Sequence, residues 1–175
     1  MTPTKSADTL LHALGIDAAQ IAQRGLRRFD EARRLAPAGV GPDGRDKFLT
    51  PATLAAWNAM HRAAHAAGIE LLLISGFRSY AFQAALIRAK LDRGMSLDQA
   101  LGVNAPPGYS EHHSGRAIDI GVHGCAALDE AFELTSAFRW LQQYAGTFGF
   151  RLTYPRNNPE GFVYEPWHWC FHRHR

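Results

Sequence analysis

At 175 residues the chain has the length of one domain and can bury a working hydrophobic core. Its 46% apolar and 20% charged residues are those of a folded globular protein and exclude a disordered one. Much of the basic charge behind the formal net +3 lies in residues 24–34 and the last three positions, with no basic stripe interleaved with exposed aromatics and no known binding module, which argues against nucleic-acid binding and for a solvated basic face.

Taken in chain order, residues 1–48 read as an N-terminal helical segment of two or three short helices packed on the outside of a main domain, residues 49–175. Thr50-Pro51 is a helix start, a capping hydroxyl followed by proline at the first helical position. Leu54, Trp57, Met60 and Ala64 continue it at helical spacing, and Gly68 stops it. Residues 69–74 form a short apolar run expected to be a buried strand, followed by a helix over 80–93. Ser96 and Gln99 make a capping box for a further short helix ending near Gly102. Pro106-Pro107-Gly108 forces a loop over 104–110, and 117–122 reads as another strand. Phe138, Leu141, Ala145 and Phe148 give a helix over 135–148, while 150–154 and 163–171 bracket a Pro/Asn/Gly turn and predict a terminal β-hairpin. The order predicts an α+β fold with a small antiparallel sheet flanked by helices.

Cys125 and Cys170 are too few for a disulfide framework, and one bridge or two buried thiols fit equally well. No stretch approaches the ~18 consecutive apolar residues of a membrane span. His12, Asp17 and Gln20 interrupt the N-terminal apolar run, so a secretory leader is not expected and the chain as given reads as cytoplasmic. A monomer is the default.

Three segments carry polar residues where folding alone would not place them: residues 75–80, 110–119 and 164–169, each at the end or beginning of an expected strand. Zinc in a hydrolase takes three imidazole or carboxylate ligands and keeps one position open. His112 and Asp119 can close on one ion if the chain turns at Gly115, and His168 would complete the set from the neighbouring hairpin. Glu165, three residues before His168 across a stiff Pro166, is placed to act as a base. Arg78 offers a permanently charged planar fork for a substrate carboxylate or a developing oxyanion.

These segments resemble the VanY-type D-alanyl-D-alanine carboxypeptidases, relatives of the VanX dipeptidases and phage murein endolysins. The S-x-H-x-x-G-x-A-x-D pattern stands as Ser110, His112, Gly115, Ala117 and Asp119, the E-x-W-H pattern as Glu165, Trp167 and His168, and the S-G-[YF]-R-S pattern as residues 75–79. The resemblance implies one Zn²⁺ ion held by His112, Asp119 and His168, with Glu165 as catalytic base and Arg78 as transition-state arginine. It implies substrate-binding positions at Ser110 and Gln83. It also implies the small α+β fold shared with the hedgehog signalling domain, a peptidoglycan peptide as substrate, and action in the periplasm or cell wall. Residues 1–48 lie outside every motif.

Each residue has a plainer alternative. His113 beside His112 is expected to support the site or face solvent, Ser110 to cap a turn, and Arg78 to pair with a carboxylate. Trp57, Trp140, Trp167 and Trp169 are expected in the core or the pocket wall, with Tyr154 and Tyr164 as candidates to line the cleft. His172 and His174 read as a solvated tail. Terminal D-alanine removal is the leading function. A murein endopeptidase and an L,D-carboxypeptidase are its rivals on the same site, and a hedgehog-like module without turnover is the rival from another class. A purely structural metal site has no use for Glu165 and Arg78.

Overall fold

The computed structural model describes residues 6–172, so the stretch 1–5 and the tail 173–175, His174 included, lie outside it. Helix α1 (Ala7–Leu14) starts at Ser6, whose hydroxyl accepts the Thr9 N–H, and ends on Gly15 in the left-handed region. Helix α2 (Ala18–Gln23) begins in a capping box made by Asp17 and Gln20. An extended stretch then leads into β1 (Ala36–Val40) and β2 (Asp46–Leu49), a two-stranded antiparallel hairpin.

That hairpin corrects the expectation of helices throughout 1–48. Pro37 and Gly39 disfavour helix there, and Gly41-Pro42-Asp43-Gly44 is a tight-turn sequence, closed by Gly44 N–H to the Gly41 carbonyl. The expected helices do form as α3 (Pro51–Ala66), capped by Thr50, α4 (Tyr80–Leu91), capped by Ser79, α5 (Leu97–Val103), with the Ser96/Gln99 capping box, and α6 (Ser136–Tyr144), prolonged by a 3₁₀ turn.

Four strands, β3 (Leu72–Ser75), β4 (Ala117–Gly121), β5 (Phe150–Leu152) and β6 (His168–Phe171), form an antiparallel sheet in the order β3-β4-β6-β5. Alternation along β4 and β6 sorts their side chains. Ile118, Ile120 and Trp169 join Trp57, Met60, Phe138 and Leu141 of α3 and α6 in the main core. Asp119 and His168 belong to the opposite face. A second apolar cluster joins Leu10, Leu11 and Leu14 of α1 and Ile21 of α2 to Ala84 and Ile87 of α4 and Leu101 of α5.

The terminal hairpin is shorter than expected. Residues 163–167 leave the sheet, because Pro166 has no N–H to give a ladder, and the chain turns where the His168 N–H meets the Glu165 carbonyl. Cys125 and Cys170 are free thiols. Among the described residues no helix is long and apolar enough to cross a membrane.

Candidate metal centre and active site

Strand register builds the centre of the site. Ser75 pairs with Asp119 and Asp119 with His168, so three strands set these residues in a row across one face. His112 arrives from the loop above, on a 3₁₀ turn (Glu111–Ser114) in which the Ser110 hydroxyl accepts the His112 N–H. Gly115 ends that turn at φ +63°, and a Cβ there would come within 3.1 Å of Leu35 and Thr50, so the reversal that returns the chain to β4 needs glycine. Gly76 allows a close approach of a different kind, since its Cβ would lie 2.7 Å from the Phe48 carbonyl oxygen.

The ligand-type atoms of His112, Asp119 and His168 lie within 4.8 Å of one another, all buried. Asp119 Oδ1 is 3.3 Å from His112 Nε2 and 3.1 Å from His168 Nδ1. Two zinc bonds at a tetrahedral angle separate their donor atoms by about 3.4 Å, so these spacings fit a zinc ion. The donor chemistry fits too. His112 Nδ1 lies 2.6 Å from the Gly76 carbonyl, which can only accept, so this nitrogen carries the proton and Nε2 is left bare. Burial pushes the His112 pKa down to about 4, keeping the ring neutral as a ligand must be. Burial alone would raise the Asp119 pKa, but the Arg78 guanidinium and the His168 hydrogen bond hold it well below the usual carboxylate range.

Arg78, between β3 and α4, donates through Nε to the Ser75 hydroxyl at 3.0 Å and through one terminal nitrogen to Asp119 Oδ2. The same nitrogen lies 3.0 Å from His112 Nε2. Its pairing with a carboxylate is thus real, but that carboxylate belongs to the site and not to the surface. Glu165 Oε2 stands 3.8 Å from His168 Nδ1, and burial raises the carboxyl to about 7. Burial would lower the His168 pKa, but hydrogen bonds to Asp119 and Glu111 raise it to about 10.

A cleft of about 690 Å³ opens over this centre and is lined by Arg78, Gln83, Ser110, Tyr154, Glu165 and Trp167, among others. Gln83 donates to the Ala105 carbonyl at 2.9 Å and keeps a buried Oε1 without a partner. Ser110 lines the cleft and also caps its turn, so the two readings of this serine are compatible. Trp57 and Trp169 are core residues, and Tyr154, not Tyr164, is the tyrosine that lines the cleft. His172 is half-buried and its N–H bonds the Gly149 carbonyl, so it closes the end of the sheet and is not a solvated tail residue.

Four contributors carried no motif signal. Glu111 places Oε2 2.9 Å from His168 Nε2. The Tyr154 ring stacks on His168 at 4.6 Å, Phe162 packs tilted against Tyr154 at 4.8 Å, and the Arg24 guanidinium lies 4.3 Å over Phe162. Arg24 is therefore not part of a solvated basic face. It donates to the carbonyls of Glu160 and Leu101, and Arg28 pairs with Asp8.

Residues 46–174 match the family model described as VanY, D-alanyl-D-alanine carboxypeptidase. The chain belongs to this family. Among VanY relatives, the putative carboxypeptidase YodJ of Bacillus subtilis is 35% identical over 128 residues, covering 70% of this chain. The chain spans less than half of that relative's length, 45%. Among solved structures, the LdcB LD-carboxypeptidase superposes with a TM-score of 0.71 at 31% identity, covering 81% of this chain and 69% of that one. VanYB in complex with D-alanine-D-alanine gives 0.61 at 25% identity, covering 82% and 78%. These likenesses agree with the α+β reading, and the VanY match begins at residue 46, the first of β2.

Proposed function

We propose that the chain is a zinc-dependent D,D-carboxypeptidase that hydrolyses the terminal D-Ala-D-Ala bond of peptidoglycan stem peptides or their precursors. The observation that carries this reading is the meeting of His112 Nε2, Asp119 Oδ1 and His168 Nδ1 beside the Glu165 carboxyl on the floor of a cleft. These three would hold one Zn²⁺ ion, which when bound supplies a Lewis acid that acidifies water and polarises a carbonyl.

The chain's own residues do the rest. Glu165, titrating near neutrality, takes the proton from the attacking water and later gives it to the departing amine as the C–N bond breaks. Arg78 turns its fork on the oxyanion that forms at the carbonyl, already oriented by Ser75 and Asp119. The unpaired Gln83 Oε1 and the Ser110 hydroxyl are the polar anchors for the substrate backbone. A second reading, L,D-carboxypeptidase action on a tetrapeptide, is favoured by the LdcB superposition.

The test is D-alanine release from muramyl pentapeptide and muramyl tetrapeptide, with and without a chelator. Chelator-sensitive release of one D-alanine from the pentapeptide alone is the expected result. Release from the tetrapeptide alone would select the L,D reading, and cleavage only of cross-linked murein an endopeptidase. Glu165→Ala should lower turnover by about 10²–10⁴-fold while retaining zinc. Undiminished hydrolysis by that variant would remove Glu165 from the mechanism. Zinc binding without hydrolysis of any of these substrates would favour a module without turnover.

A further inference from the structure

We propose that Glu111 is the positioning residue of the metal centre: its carboxylate decides which nitrogen of His168 faces the metal. The inference rests on the zinc-site reading of His112, Asp119 and His168.

An imidazole can ligate only through a nitrogen that carries no proton, and the hydrogen bond made by its other nitrogen selects which one that is. At His112 a backbone carbonyl makes the selection, since Gly76 O takes the proton on Nδ1 and Nε2 turns to the centre. His168 lies the other way round. Its Nδ1 is 3.1 Å from Asp119 Oδ1, at the centre, and its Nε2 points away. Behind that nitrogen stands Glu111 Oε2 at 2.9 Å, an acceptor that holds the proton on Nε2, so that the proton a metal ion displaces is the one on Nδ1.

The two histidines thus present opposite nitrogens, one set by the backbone and one by a side chain. Glu111 and His112 are neighbours on the same 3₁₀ turn, so one short element delivers a ligand to the centre and sends the adjacent residue behind the second ligand. The remaining freedoms of His168 are closed by ring contacts. Tyr154 stacks on its face at 4.6 Å, and His112 meets it edge-on at 5.0 Å. Glu111 supplies the restraint within the ring plane.

The burial of Glu111 favours this role over packing. The residue is only 7% exposed, and His168 is its ion-pair partner among the described residues. A buried carboxylate is costly unless it is matched, so a site selected for packing alone would carry an apolar side chain.

The test compares wild type with Glu111→Gln and Glu111→Leu. Zinc affinity is measured by competition with a chromophoric chelator, and melting of the metal-free proteins is recorded in parallel. Gln keeps an oxygen that accepts from Nε2–H and should bind zinc within about fivefold of wild type. Leu fills the space without an acceptor and should bind zinc about 10–100-fold more weakly, a loss exceeding that of Gln at temperatures where the metal-free melts show both variants folded. Long-range ¹H–¹⁵N spectra of zinc-loaded wild type should show His168 protonated at Nε2, a readout that needs no variant. Wild-type zinc affinity in the Leu variant, Gln as weak as Leu, or a proton on Nδ1 would overturn the proposal. Failure of wild type itself to bind zinc would overturn the reading beneath it, a result distinct from any difference among the variants.

Discussion

At the scale of single residues the adjacent pair His112-His113 shows how burial divides two identical side chains. His112 turns into the centre, whereas His113 is fully buried and bridges two loops, donating through Nδ1 to the Arg78 carbonyl at 2.6 Å and accepting the Gly108 N–H on Nε2 at 3.1 Å. That bridge needs a neutral ring, and burial pushes the His113 pKa down to about 4. Because the folded value lies below the unfolded value of about 6.5, protons bind the unfolded chain first. Stability is complete above about pH 6.5 and is lost as pH falls toward 4, at up to about 1.4 kcal/mol per pH unit. Denaturant titrations between pH 7 and 4 should therefore show wild type losing more stability than His113→Gln, which can donate and accept in the same place. A difference that does not vary with pH would contradict this assignment. The motif spacing was enough to separate His112 from its neighbour, but the partners of His113 lie in other loops and left no trace in the sequence.

At the scale of elements, the segment after α2 is tied to the site it does not enter. The Phe29 N–H bonds the Gly108 carbonyl, the Ala32 N–H bonds the His113 carbonyl, and Glu31 accepts the first N–H of α4. Arg24 fastens the same segment to the loop that carries Phe162, with a 2.7 Å bond to the Glu160 carbonyl and its guanidinium over the ring, and to α5, with a 2.9 Å bond to the Leu101 carbonyl. Phe162 continues through Tyr154 to His168. Arg24→Ala should destabilise the protein by about 2 kcal/mol, read as a lower denaturant midpoint. Arg24→Lys should recover little of that loss, because a single ammonium cannot span both carbonyls and stack on the ring. A shift below about 0.5 kcal/mol for the alanine variant would mean the strap is not fastened there. Helix starts at Thr50 and Ser96 were readable because a cap is written within four residues. The role of Arg24 was not, because its acceptors are backbone carbonyls 77 and 136 positions away.

At the scale of the whole molecule, the proposed ion would be held by residues from a loop and two strands, so its removal should be felt by the entire fold. At free zinc 100-fold above its dissociation constant, binding to the folded state adds about 2.7 kcal/mol. For a chain of this size that is about 5–10 °C of melting temperature, to be lost on chelation and restored by zinc. A melting temperature indifferent to chelation would count against a metal bound by the folded protein alone. The local code of the sequence, by itself, determined the helices α3 to α6, the apolar runs of the sheet, and the identity and spacing of His112, Asp119, Glu165 and His168. Their meeting depended on strand register. Only the tertiary structure aligned Ser75, Asp119 and His168 across three strands, shortened the last hairpin at Pro166, folded residues 36–49 into strands and put Glu111 behind His168. Caps and periodicity act over a few residues and are written where they act. A hydrogen bond between positions 57 apart, such as Glu111 to His168, is selected by the packing of everything between them.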